Sequence, residues 1–109
     1  MTDWALFRER IPGWQEKYME RLLTNYIQMI ATGKTASSTF WALEKRINWD
    51  KKTPGVCISP TKEDMPWDLA RMIKDGVITE ADLDGFSQEL SEHVKRVLTP
   101  MSRPGEHEG

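Results

Sequence analysis

Hydrophobic residues recur at helical spacing along most of the chain, whereas signals for β-strands are scarce. The only β-leaning segment covers residues 56–58, and prolines or glycines flank it on both sides. Most of the chain therefore falls into helical segments, each with one apolar stripe to bury. We predict an all-α fold, a compact bundle of about five helices with short connections and a mobile C-terminal tail.

Two helices are predicted in the N-terminal third. The first begins at Thr2 or Asp3, either of which can cap it, and its apolar face comprises Trp4, Phe7 and Ile11. Residues 12–13, a Pro-Gly pair, are expected to interrupt it. The second runs from about residue 14 to residue 32 and stops at a glycine. Its predicted inward-facing stripe comprises Tyr18, Met19, Leu22, Leu23, Tyr26, Met29 and Ile30.

The middle of the chain predicts two more helices separated by a linker. Predicted helix three covers about residues 36–50, and its inward face comprises Phe40, Leu43 and Ile47. The linker, residues 51–59, is constrained by prolines near its far end. Predicted helix four covers about residues 62–74, and its inward-facing residues are Met65, Leu69, Met72 and Ile73.

The start of predicted helix five carries a capping pattern. Thr79 and Asp82 have the spacing of a capping box, and Ile78 and Leu83 have that of a hydrophobic staple. The stripe that follows is Leu83, Phe86, Leu90, Val94, Val97 and Leu98, and the helix is expected to end at residues 99–100. Residues 1–99 are thus predicted to form a single helical domain, and residues 100–109 a flexible tail.

Composition narrows the class of protein. The 109 residues are 39% hydrophobic and 29% charged, which is typical of a soluble globular domain. A formal net charge of −2 argues against broad attraction to nucleic acid. One cysteine, Cys57, excludes an intrachain disulfide, and the first residues show no secretory signal. We expect a cytoplasmic protein in which Cys57 is a buried apolar filler.

Residues suited to catalysis or metal binding are few. His93 lies at the edge of the stripe of predicted helix five, and His107 lies in the tail. Glu89 and His93 are four residues apart but lack partner ligands from other helices. No nucleophile has a base beside it, so the sequence predicts a protein that is not an enzyme and has neither metal nor cofactor. An enzyme hypothesis would require the fold to bring carboxylates such as Asp64 and Asp68 together.

One segment resembles a known type of bacterial domain. Residues 69–90 contain an amphipathic helix, the turn Gly76-Val77-Ile78-Thr79, and an acidic helix start. This pattern resembles the helical hairpin of SHOCT-type short bacterial domains. The resemblance covers about a fifth of the chain and implies a small bacterial interaction module without enzymatic activity.

Five tryptophans are the most distinctive feature of the composition. Trp4 shares the apolar face of its helix, and Trp14 is expected to cover the junction between the first two helices. Trp41 and Trp49 fall on the side of predicted helix three opposite its apolar stripe, about 130–150° away, together with Lys45. Either this helix is central and packs on two sides, or these indoles are exposed for binding. Trp67 lies about 170° from the stripe of predicted helix four.

Two functions remain open. The first is a small cytoplasmic, bacterial or phage-type module that binds a protein partner or a second copy of itself. Its aromatic and basic face would comprise Trp41, Lys45, Trp49 and Trp67. The alternative is a nucleic-acid-associated regulator, which would use the basic residues Lys45, Arg46, Lys51 and Lys52 beside the indoles. Glu44 and Asp50 reduce the net charge of that patch. No membrane partner is predicted.

Overall fold

The computed structural model describes residues 1–102, and within them it is all-helical, as the sequence predicts. Four α-helices and one short 3-10 helix are present, which differs from the five helices expected. None of the helices in this part of the chain combines the length and apolar character that crossing a bilayer would need. The elements are α1 (Asp3–Thr32), α2 (Ala36–Asp50), α3 (Met65–Lys74), the 3-10 helix (Glu80–Leu83) and α4 (Gln88–Ser102).

The first two predicted helices are one helix of 30 residues, so the predicted interruption at residues 12–13 is wrong. Pro12 lies inside α1, where a proline removes one backbone hydrogen bond. Packing offsets this loss, because Phe7 and Ile11 are buried before the proline and Leu22 after it. The ring of Trp14 also lies 6.4 Å from that of Phe7, so one apolar stripe continues past the proline.

The hydrophobic core lies in what we call the body, which consists of α1 residues 3–18, α3, the 3-10 helix and α4. Phe7 and Ile11 of α1 pack against the buried faces of α3 and α4, and the turn between these helices adds Val77 and Ile78. All six stripe residues predicted for helix five are buried, whereas helix four buries two of its four and only partly buries Met65 and Ile73. These buried residues are Leu69, Met72, Leu83, Phe86, Leu90, Val94, Val97 and Leu98.

The segment after α3 differs from the single long helix that was predicted. The carboxylate of Asp82 accepts a hydrogen bond from the Thr79 backbone N–H at 2.8 Å, so the predicted capping interaction is present. It starts only the short 3-10 helix, because Gly85 has φ +96° and breaks the helical path. Ser87 then caps α4 by accepting from the Leu90 N–H at 3.1 Å. Its hydroxyl also donates to Asp3 at 2.6 Å, which joins the starts of α1 and α4.

The end of α4 also differs from expectation. The helix was expected to stop at residues 99–100, but it continues to Ser102. Pro100 therefore lies within the helix, and the first residues of the predicted tail are helical. The remainder of the predicted tail, residues 103–109 with His107, lies outside the described residues.

Beyond the body, α1 residues 19–32 and the whole of α2 form an antiparallel helical hairpin, which we call the arm. Residues 33–35 connect its two helices. The radius of gyration is 16.5 Å, whereas a compact domain of this length is expected to have about 13 Å. The expected compact bundle is therefore an elongated molecule, with extents of 52 × 39 × 21 Å.

The arm exposes four of the nine side chains that were expected to face inward. Leu23, Ile30 and Phe40 are exposed, and Ile47 is 37% exposed, so the prediction is wrong at these positions. The other five are buried or partly buried. The physical reason is that, within residues 1–102, α2 makes its main helix contact with α1, so an apolar flank of each arm helix is left uncovered. Leu22 and Asp50 are the arm residues that become buried.

The linker returns the chain from the arm to the body. Pro54 and Gly55 are buried against α1, where the Gln15 side chain donates to the Pro54 carbonyl at 3.0 Å. No strand forms here or elsewhere in residues 1–102. Cys57 is exposed, so the prediction of a buried filler is wrong. Val56 and Ile58, on either side of it, are partly buried.

Candidate functional site

Exposed large hydrophobic side chains are concentrated on the arm. Among residues 1–99, nine such side chains are exposed, and only Met1 and Trp67 lie outside the arm. Scattered exposed apolar residues are normal on protein surfaces, but a contiguous group marks a site of interaction. The arm residues fall on two surfaces, and they are Leu23, Ile27, Ile30, Phe40, Trp41, Ile47 and Trp49.

A buried carboxylate holds the two helices of the arm together. Asp50, at the end of α2, accepts a hydrogen bond of 2.5 Å from the Tyr26 hydroxyl of α1. The same oxygen, Oδ2, accepts from Nε of Arg46 at 3.0 Å, and this guanidinium also lies 6.0 Å from the centre of the Tyr26 ring. Since the charge of Asp50 has a direct partner, the arm closes through a polar contact as well as an apolar one. We call these three side chains the latch.

The latch changes the acidity of Tyr26. Burial of the phenol, followed by its hydrogen bond to the Asp50 carboxylate, raises the pKa of Tyr26 to about 12. Folded protein therefore holds this proton at a pH where the unfolded chain loses it. It follows that the latch contributes stability below pH 10 and that this contribution is lost as the pH rises from about 10 to about 12.

We expect the Tyr26 phenol to ionise well above pH 10, and Asp50→Asn to lower its pKa toward 10, because the substitution removes the neighbouring negative charge. The measurement is tyrosinate absorbance against pH, taken as the difference between each protein and the same protein carrying Tyr26→Phe. Circular dichroism at each pH checks that the helices persist. A wild-type difference curve centred at pH 10 would contradict the latch.

On the other side of α2, between the arm and the body, lies an open cleft of about 1060 Å³. Trp41 and Trp49 line it from α2 with Lys45 between them, and Tyr18 of α1 and Asp75 at the end of α3 face them. Trp41 is 63% exposed and Trp49 is 69% exposed, so the alternative in which α2 is central and covers both indoles is wrong. We call this surface the indole cleft.

The charges around the indole cleft balance. Its basic lining residues are Lys45, Arg46 and Lys52, and its acidic ones are Glu44, Asp50 and Asp75, so the formal net charge is zero. Arg46 is further engaged in the latch. Lys51, the fourth member of the predicted basic patch, lines a different cavity on the opposite side of the arm. The structure thus divides the four basic residues that the sequence places together.

Trp67 is not part of this surface. Its indole is 54% exposed on α3, but it does not line the indole cleft. Of the four residues predicted to form one binding face, the structure brings together Trp41, Lys45 and Trp49. The residues that sequence reasoning missed are Tyr18 and Asp75, which reach the cleft through tertiary contacts.

The remaining chemical candidates lie elsewhere. His93 is exposed on α4, and no group of three or more potential metal-ligating side chains forms among residues 1–102. Burial, and then the nearby charge of Asp64, raise the pKa of Asp68, whose Oδ2 is buried without a hydrogen-bond partner. These two carboxylates are therefore close enough to interact, but neither lines the indole cleft.

No protein-family model, no curated protein and no solved structure matches the chain. The resemblance of residues 69–90 to a SHOCT-type hairpin accordingly stays a prediction.

Proposed function

We propose that the protein acts through protein–protein contact and that the indole cleft is its partner-binding surface. The observation that carries this proposal is the exposure of Trp41 and Trp49 in a single cleft, on a rigid helix, with Lys45 between them. Tryptophan in a concave, partly apolar site is the residue type that most often anchors a protein partner. The module is small, and its proposed role is binding without catalysis, in a cytoplasmic and bacterial or phage setting.

The chemistry of the cleft suggests the type of segment that would fit. Two indole faces favour an apolar or aromatic side chain of the partner. Lys45 and Asp75 offer one charge of each sign at opposite walls, so a segment that carries both an acidic and a basic group would be complementary. A second copy of the chain is one possible source of that segment.

The alternative, a nucleic-acid-associated regulator, has weaker support. Stacking on Trp41 and Trp49 would suit unpaired bases, and Lys45 and Lys52 would suit phosphates. Against it, three carboxylates line the same cleft, and phosphate contacts require an excess of positive charge.

Photo-crosslinking in cells of the protein's own host tests the proposal. A benzophenone amino acid replaces Trp41 or Trp49 in the full chain, one position at a time. We expect the same partner protein to be captured from both positions, and excess wild-type chain to compete with its capture. A partner captured at neither position would contradict the proposal.

Trp67 provides the matched control, because its indole is exposed to a similar degree but lies outside the cleft. The benzophenone placed there should not capture the same partner. For the alternative function, fluorescence anisotropy with labelled single-stranded DNA and RNA is measured at low salt. Binding that Lys45→Glu abolishes and that falls steeply with added salt would replace our proposal with the nucleic-acid function.

A further inference from the structure

The arm has a second unpartnered surface, on the side away from the indole cleft. It comprises Leu23, Ile27 and Ile30 of α1 and Phe40 and Ile47 of α2, which we call the arm face. Leu23 and Ile47 line one cavity of about 190 Å³, together with Met19 and Val56, so the two helices contribute to the same side. Ile27 and Ile30 continue the row toward the tip on α1, as Phe40 does on α2.

The arm face is free of the body. Around the axis of α1, its three residues lie about 150° from Phe7, Ile11 and Tyr18, which contact the core, at 100° per residue. The body therefore extends to the other side of α1. A molecule that approaches the arm face meets α1 and α2, with the linker residue Val56 at the base of the surface.

We propose that two copies of this chain associate through the arm face and form a four-helix bundle. A two-helix hairpin buries one strip of each helix and leaves the second strip in water, whereas a stacked pair of hairpins covers both. The arm face is a pair of helical ridges with apolar side chains, and a two-fold axis brings that same surface against itself. The arm face and the indole cleft comprise different residues, and they adjoin where the ring of Phe40 lies 5.0 Å from that of Trp41.

The area of the arm face is smaller than that of a standard specific interface, which favours a weak, reversible contact. The arm helices contribute 14 and 15 residues, so each is about 20 Å long, and the pair is about 20 Å wide. The projected surface is then roughly 400 Å² per copy, and the ridged side chains add accessible area to it. This approaches the roughly 600 Å² per partner at the lower end of specific complexes and predicts a reversible dimer.

Charges at the base of the arm face indicate which helix of one copy packs on which helix of the other. Lys51 lines the cavity beside Met19 and Leu23, and Glu20 is exposed on α1 at the same level. If the two-fold axis runs along the arm, α1 of each copy lies over α2 of its partner. Glu20 of one copy then faces Lys51 of the other. A two-fold axis across the arm would instead place the base of one arm against the tip of the other and separate these two residues. The complementary charges favour the first arrangement.

Sedimentation velocity of the full chain across a concentration series tests the proposal. We expect a monomer–dimer equilibrium with a dissociation constant in the micromolar range, about 1–100 µM. Ile27→Glu should weaken association at least about 100-fold, because it places a charge in an apolar interface. Its helix content should persist, since Ile27 is 65% exposed in the single chain. A chain that stays monomeric, or a dimer that tolerates Ile27→Glu, overturns the proposal.

Asn25→Glu is the matched control, because it adds the same charge to the exposed opposite flank of α1 and should leave the dimer intact. Exchanging the charges of Glu20 and Lys51 tests whether α1 of each copy packs on α2 of its partner. Glu20→Lys and Lys51→Glu should each weaken the dimer, and the double variant should restore it; failure to restore overturns the arrangement. Trp49→Ala should not change the dissociation constant. The dimer proposal and the proposal of a partner at the indole cleft can therefore be contradicted independently of each other.

Discussion

Phe7→Ala should lower the free energy of unfolding by about 3–5 kcal/mol, the usual cost of removing a buried aromatic side chain. Phe7 is fully buried where α1 meets α3 and α4, and its ring lies 6.1 Å from that of Trp4. A domain of this size has about 5–15 kcal/mol of stability in total. The variant should therefore unfold at a clearly lower urea concentration than the wild type. Urea denaturation followed by circular dichroism measures the difference.

Trp67→Ala is the control for this prediction. It also removes an aromatic side chain from the body, but the indole of Trp67 is 54% exposed. We expect a loss of about 1 kcal/mol or less, as for most surface positions. If the two substitutions cost the same, the core does not lie between α1, α3 and α4.

Local chemistry made several elements predictable from the sequence. The start of α2 follows from Thr35, whose hydroxyl accepts from the Ser38 N–H at 3.1 Å and caps the helix. The stripe of α4 is buried at the expected positions because its spacing matches one helix face. Asp82 also accepts from Thr79 as the capping pattern predicts. Each of these features depends on residues within about two turns of one another.

The errors arose where tertiary contacts decided the outcome. Pro12 does not end α1 because the stripe through Ile11 and Trp14 is packed on both sides of it. That signal was present in the sequence, since the apolar spacing continues across the proline. The sequence also shows Gly85 within predicted helix five. Its positive φ, however, depends on how the folded chain runs from the 3-10 helix to α4.

The site was predictable only in part, for a related reason. Helical spacing places Trp41, Lys45 and Trp49 on one face, and the structure agrees. The opposite face was expected to be buried because an apolar strip normally finds a neighbour within the same chain. Within residues 1–102 the main helix contact of α2 is with α1, and the latch of Tyr26 and Asp50 joins residues 24 positions apart. No local pattern indicates such a contact.

A close approach between the linker and α1 leads to the last prediction. Gly55 is buried, and a Cβ atom at this position would lie 2.2 Å from Cδ2 of Tyr18. Gly55→Ala should therefore displace the Tyr18 ring or the linker backbone and lower the free energy of unfolding by about 1–3 kcal/mol. Gly13→Ala is the matched control. A Cβ at Gly13 would meet nothing within 4 Å inside α1, so this variant should gain about 0.5–1 kcal/mol.

A double-mutant cycle assigns the cost of Gly55→Ala to its cause. In a Tyr18→Ala background the ring is absent, so Gly55→Ala should cost much less there, and the coupling between the two substitutions should exceed about 0.5 kcal/mol. Gly13→Ala should show no such coupling with Tyr18→Ala. If Gly55→Ala costs the same in both backgrounds, the linker does not pack on Tyr18. The part of the indole cleft that Tyr18 lines would then have a different shape.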